Sequence, residues 1–167
     1  MVIATTLIVF VFETYVVQKS QFAIPILSNY NIYYGETPTE VSRKLEVSAN
    51  SKEKLQYANE TVYNYDTVIL GRPSKLVCYF LYGKYLFEAD VYISSEDATQ
   101  TRELFSQARE QIEKEYANND NFTCGKVTGI ENGLLRQTFD VNNGATGIDY
   151  TIEIQESCLS ISCRKIF

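Results

Sequence analysis

Hydrophobic and polar residues alternate through much of the second half of the chain. Ile148, Tyr150, Ile152 and Ile154 alternate with Asp149, Thr151 and Glu153. Phe87, Ala89, Val91 and Ile93 are expected on one strand face, with Glu88 and Asp90 on the other. A period of two places alternate side chains on opposite faces of a strand, so both segments predict half-buried antiparallel strands. Between them the period changes. Leu104, Ala108, Ile112 and Tyr116 recur every fourth residue, with Phe105 widening the stripe and Arg102, Glu103, Arg109, Glu110, Glu113 and Lys114 on the other faces. That pattern predicts a long helix with one face on a sheet and the other in water.

Turn and cap residues divide the remainder. Thr37-Pro38-Thr39-Glu40 combines an N-cap, a proline at the first helical position and a capping-box glutamate, predicting a short helix over 38–47. Residues 48–59 are polar and read as loop. Strands are expected at 61–70, 74–81 and 85–93, with Tyr82-Gly83-Lys84 turning the last pair. Ser94 or Ser95 is the expected cap of the long helix, and Asn118-Asn119-Asp120-Asn121 its end. Asn132-Gly133 and Asn143-Gly144 are strong hairpin signals. They separate strands expected at 122–130, 134–141 and 147–155, and a last strand covers 158–166. The fold class is therefore α+β: a single antiparallel sheet of about six to seven strands, a long helix packed on one face and a short N-terminal helix. Helix followed by meander occurs twice, without a sequence repeat.

The first residues do not fit that scheme. Residues 2–12 are apolar apart from Thr5 and Thr6, and after Glu13 the apolar character continues to residue 17. This is the length of a signal-peptide core and short of the about 20 residues of a spanning helix. There is no basic start and no small-x-small cleavage site. Three readings stay open: a signal peptide or signal-anchor, a strand of the domain, or a buried helix. The domain division is 1–28 for this segment and its connection, where Pro25 prevents regular pairing, and 29–167 for a single α+β domain. The expected location is extracytoplasmic, secreted or anchored through a membrane tether at residues 2–17; a cytoplasmic location is the alternative.

Composition narrows the chemistry. The 167 residues carry 15 Lys and Arg against 21 Asp and Glu, for a formal charge of −6. Such a balance opposes nucleic-acid binding, which needs cations against phosphates. Histidine is absent, so no Ser-His-Asp or Cys-His nucleophile and no histidine zinc site can form. Apolar residues make up 45%, enough for a sizeable core. No cofactor or metal is expected. Asn118 to Asn121 is a helix-ending loop rather than a calcium site.

Two short stretches resemble known families. Gly35, Thr37 and Val41, with Leu45 following, are similar to the Gly-x-Thr-x-x-x-Val opening of the small lipoproteins of the outer-membrane barrel-assembly machinery and of the β-lactamase inhibitory proteins. Those modules have two helices before the sheet and a glycine after the leucine, where this chain has Glu46. Leu70 to Leu76, then Tyr79-Phe80 and Gly83-Lys84, resembles small secreted or anchored proteins of unknown function from Gram-positive bacteria. The resemblance implies an extracytoplasmic, non-catalytic α+β domain and transfers no functional residue.

Cysteine and tyrosine supply the candidate sites. Cys78, Cys124, Cys158 and Cys163 allow two disulfides or four free thiols. Cys158 and Cys163 point to opposite faces of one strand and should not pair, and Cys78 and Cys163 occupy core-like positions. The chain has thirteen tyrosines and no tryptophan (13 and 0). Tyr63 and Tyr65 share a strand face, and Tyr79, Tyr82, Tyr85 and Tyr92 lie on the next hairpin. Exposed tyrosines give rigid amphipathic contacts for a protein or polymer partner, although tyrosine also suits half-buried sheet faces. Glu88 with Asp90, and Asp149 with Glu153, are carboxylate pairs that read as the wet face of a sheet or as acid–base chemistry. Asn59-Glu60-Thr61 and Asn121-Phe122-Thr123 match the N-glycosylation pattern. The leading expectation is a non-enzymatic interaction module using Tyr63, Tyr65, Tyr79 and Tyr92. The alternatives are a small-molecule carrier with a pocket between sheet and helix, and a carboxylate-based hydrolase.

Overall fold

The computed structural model describes residues 23–55, 59–130, 134–142, 147–155 and 157–166. The apolar segment at 2–17 and both Asn-Gly turns lie outside the described residues. The chain forms a 3₁₀ turn at Pro25–Tyr30, helix α1 at Pro38–Leu45, strands β1 (Ser51–Lys54), β2 (Glu60–Ile69), β3 (Arg72–Leu81) and β4 (Tyr85–Ser94), and helix α2 at Ala98–Glu115. Strands β5 (Phe122–Cys124), β6 (Thr128–Ile130), β7 (Leu134–Asn142), β8 (Gly147–Gln155) and β9 (Cys158–Ile166) follow. All pairings are antiparallel, in one sheet of order β1-β2-β3-β4-β9-β8-β7-β5, with β6 beside β7. Two meanders thus join where the last strand, β9, docks on β4. The fold class is α+β, as its hydrophobic pattern predicts, with nine strands rather than six or seven.

The extra strands have simple causes. Strand β1 falls in the stretch read as loop. All four of its residues are exposed, and it pairs with β2 alone. An edge strand with neither face packed needs no hydrophobic alternation, and its charged sequence discourages further pairing. The segment read as one strand at 122–130 is two short ones, because its register against β7 shifts over residues 125–127, three residues standing against two between the Cys124–Phe139 and Thr128–Arg136 pairs.

One face of the sheet carries the core. Helix α2 buries Leu104, Phe105, Ala108 and Ile112 over β8 and β9. Gln111 Nε2 ties it to the 3₁₀ turn, donating to Pro25 O at 2.6 Å and Ser28 Oγ at 2.9 Å. The cap of α2 is Asp97, which accepts from the Gln100 amide at 2.8 Å, rather than Ser94 or Ser95. Ser95 instead donates to Ser157 O at 2.9 Å and contacts Thr101, so it anchors the helix start to the sheet end. Helix α1 has the predicted capping box in full. It ends on Glu46 at φ 58°, a left-handed position that favours glycine. The core reaches back to Ile24, Ile26 and Leu27, so the domain takes in residues assigned above to the connection.

A bulge alters the face reading of β4. The register shifts between Tyr79 and Phe80, so Phe80 faces Leu86 while Tyr79 faces Glu88. Leu86 therefore joins the core with Ala89, Val91 and Ile93. Phe87 is displaced to the opposite face, edge-on to Tyr79 with ring centroids 6.5 Å apart. A bulge carries one unpaired residue and so resets the alternation.

Candidate binding face

The tyrosines expected to share one surface divide between the two faces of the sheet. Tyr63 lies opposite Cys78 and Tyr65 opposite Leu76, so both belong to the core face. Tyr65 is 1% exposed and accepts a hydrogen bond from Ser42 Oγ of α1 at 3.3 Å. Tyr63 is half-buried, edge-on to Phe80 at 5.3 Å, with Lys52 Nζ 5.5 Å from its ring centre. The expectation that these two form an exposed docking face is corrected. The register that decides it follows from a two-residue turn at Leu70-Gly71, both at positive φ (52° and 73°), as a type I′ hairpin requires. Counting outwards from that turn pairs Tyr65 with Leu76, a signal present in the sequence.

Tyr79 and Tyr92 are on the other face. Tyr92 is 41% exposed. The tyrosine bias is otherwise largely a core property: Tyr34, Tyr116 and Tyr150 are buried in the core, and the Tyr116 and Tyr150 hydroxyls are hydrogen-bonded to each other. Tyr82 is exposed at the β3–β4 turn, and Tyr85 is half-buried beside it.

The outer face has a definite relief. Strand β9 lies between β4 and β8 and presents Ser160 and Ser162 outward, opposite Tyr92 and Asp90 on one side and Glu153 and Thr151 on the other. Small side chains on the middle strands, flanked by Asp90 and Tyr92 of β4 and by Arg136 of β7 with Glu153 of β8, leave a trough of about 260 Å³ that is open to solvent on one side.

Its electrostatics are uneven. Glu153 is paired with Arg136 at 3.6 Å, and Glu88, just beyond the trough, with Arg164 at 3.4 Å. Among the described residues Asp90 has no cation within ion-pairing distance, and its Oδ1 is buried without a hydrogen-bond partner. Burial raises the Glu88 carboxyl above its usual range; the charge of Asp90 adds to this and Arg164 opposes it. Burial also raises the Tyr79 phenol, helped by the charge of Asp90 and a hydrogen bond with it. Tyr92 is raised by burial and then by Asp90. Asp149 stands opposite Arg164 in register, but its side chain lies outside those described. Sequence reasoning singled out Tyr79, Tyr92, Glu88, Asp90 and Glu153. It missed Ser160, Ser162, Thr151 and Arg136, which become neighbours of Asp90 only through the β4–β9 pairing.

The cysteines form no site. Cys78 and Cys163 are buried on the core face, either side of Ala89. Two strand spacings of about 4.8 Å separate their backbones by about 10 Å, beyond the roughly 7 Å limit for a disulfide. Cys124 is exposed and Cys158 half-buried on the outer face, and all four thiols are free. Among the described residues no group of three His, Cys, Asp or Glu could hold a metal ion, and no helix is long and apolar enough to cross a membrane. Comparison with protein-family models, curated proteins and solved structures finds no match.

Proposed function

We propose that the chain is a non-enzymatic binding module whose partner docks on the outer face of the sheet, over the trough between β4 and β7. The observation that carries this reading is the Asp90 carboxylate, which lines an open depression and has no cation partner among the described residues. A partner that brings a cation to this wall supplies the counter-charge that Asp90 lacks. Tyr92, half-exposed on the same wall, offers a rigid aromatic contact. The apolar segment at 2–17 supports placing the module outside the cytoplasm, secreted or tethered to a membrane.

Filling the trough tests the reading. Ser162→Tyr puts a good strand former on its floor. A partner retained from host extract by the original chain and lost by the folded variant is the expected result. Equal retention by both removes the trough from the interface.

A second reading, a carboxylate hydrolase, is favoured by one observation: Glu88 is held above the usual carboxylate range beside Asp90, as a general acid would be. Against it, Glu88 is tied to Arg164 and does not line the trough. Turnover of a glycoside or ester substrate that Glu88→Gln abolishes would establish this reading in place of the first.

A further inference from the structure

Resting on the binding-module reading, we infer that the trough accepts a primary ammonium group, presented by a lysine side chain of a partner protein. An ammonium carries three N–H donors and accepts nothing. The trough wall holds the Asp90 carboxylate, which has no cation partner among the described residues. Its floor holds the hydroxyls of Ser162 and Ser160, which can both accept.

Charge points the same way. Of the acids on this part of the face, Glu88 and Glu153 have arginine partners, whereas Asp90 has none among the described residues. Lys75 stands opposite Tyr92 across β3 and β4, yet makes no ion pair with Asp90. The negative potential is felt by Tyr79, Tyr92 and Glu88, all of which Asp90 disfavours in their anionic forms. An anionic ligand would meet that same field on the β4 side of the trough, across from Arg136. A metal ion would lack a ligand set among the described residues. The tyrosine ring beside Asp90 gives a cation an aromatic face as well as a counter-charge.

The shape selects the source. A site for a free small molecule encloses most of its ligand. This trough is shallow and open on one side, with Tyr92 at the rim 41% exposed. That geometry suits a side chain carried on a larger surface, whose backbone stays outside while the ammonium reaches the floor.

The test is a titration of the full chain followed by amide NMR, with Nα-acetyl-lysine methylamide as the probe. Its Nε-acetylated form and 1,5-diaminopentane are the comparison arms. Saturable shifts at Thr151, Ser160 and Ser162, absent with the acetylated probe, are expected. Asp90→Asn should weaken binding about tenfold or more, as loss of a charged hydrogen bond does. Should that variant not fold, Tyr92→Leu, altered at the rim rather than in the core, should weaken binding about twofold to fivefold. Equal shifts from the neutral and charged probes, or no shifts from either, overturn the inference. Tighter binding of the diamine than of the lysine probe overturns a protein partner as the source. If the probes fail while Ser162→Tyr still abolishes partner retention, the docking face stands and only the ligand class is wrong. If both fail, the binding-module reading falls with it.

Discussion

The hydroxyls of Tyr116, which caps α2, and Tyr150, on β8, meet in the core in a hydrogen bond that ties the end of the helix to the sheet. Their rings lie 5.7 Å apart, and Tyr116 also stacks on Phe122 at 5.4 Å. Tyr150→Phe should destabilise the fold by about 1–2 kcal/mol by removing one partner of a buried pair. The double change Tyr116→Phe with Tyr150→Phe should cost less than the sum of the single ones, since it removes donor and acceptor together. Urea melts of the four proteins check this. Strict additivity would show that the two hydroxyls are not coupled.

Stability should fall in alkali. Burial raises the phenols of Tyr34, Tyr116 and Tyr150 and the thiols of Cys78 and Cys163, and takes Tyr65 to about 12. The corresponding reference values are 10.0 for tyrosine and 9.0 for cysteine. The unfolded chain therefore releases these protons first as pH rises, and the native state binds more of them. Their contribution is full below about pH 9 and is lost progressively above it. Lys165, lowered by burial, works in the opposite direction but is one group against six. Denaturation midpoints at stepped pH provide the measurement; a midpoint constant through the alkaline range would contradict the burial of these acids.

Lys44 holds the segment before α1 together. It is ion-paired with Glu36, which is 1% exposed, donates to Asn31 O, and lies 4.9 Å from the Tyr33 ring centre. Lys44→Ala should cost about 2–4 kcal/mol, because it leaves Glu36 charged and buried. Adding Glu36→Gln should restore part of the loss. A single-variant cost under about 1 kcal/mol, the range of surface pairs, would mean that water replaces the ammonium freely.

The four thiols should react in an order set by exposure. Cys124 is expected to alkylate first in the native protein and Cys158 after it, with Cys78 and Cys163 protected until global unfolding. Timed alkylation read by mass spectrometry distinguishes them. Early labelling of Cys78 would place β3 at an opening edge rather than in the core.

Much of this architecture was legible along the chain. The amphipathic stripe of α2, the capping box of α1 and the period-two strands β3, β4, β8 and β9 are local properties, each written within a dozen or so residues. The errors share a cause. β1 leaves no signal in the sequence because an edge strand exposed throughout has no hydrophobic period. Phe87 lies on the face opposite to the one its alternation predicts because a single bulged residue reverses parity. Asp97 rather than a neighbouring serine caps α2, since the serine is taken up by the sheet end at Ser157.

Residue order by itself determined the α+β class, the two helices and most strand positions, because backbone propensity and burial period act between near neighbours. Only the tertiary structure decided which tyrosines are core and which are surface, since that depends on cross-strand register. It also made the candidate site. Ser160 and Ser162 are about seventy residues from Asp90 in sequence, and they face it because β9 closes against β4. No local pattern encodes that pairing. It arises from burying the apolar faces of two meanders under one helix, and its by-product on the other side is a trough whose floor is serine and whose wall is an aspartate with no cation partner among the described residues.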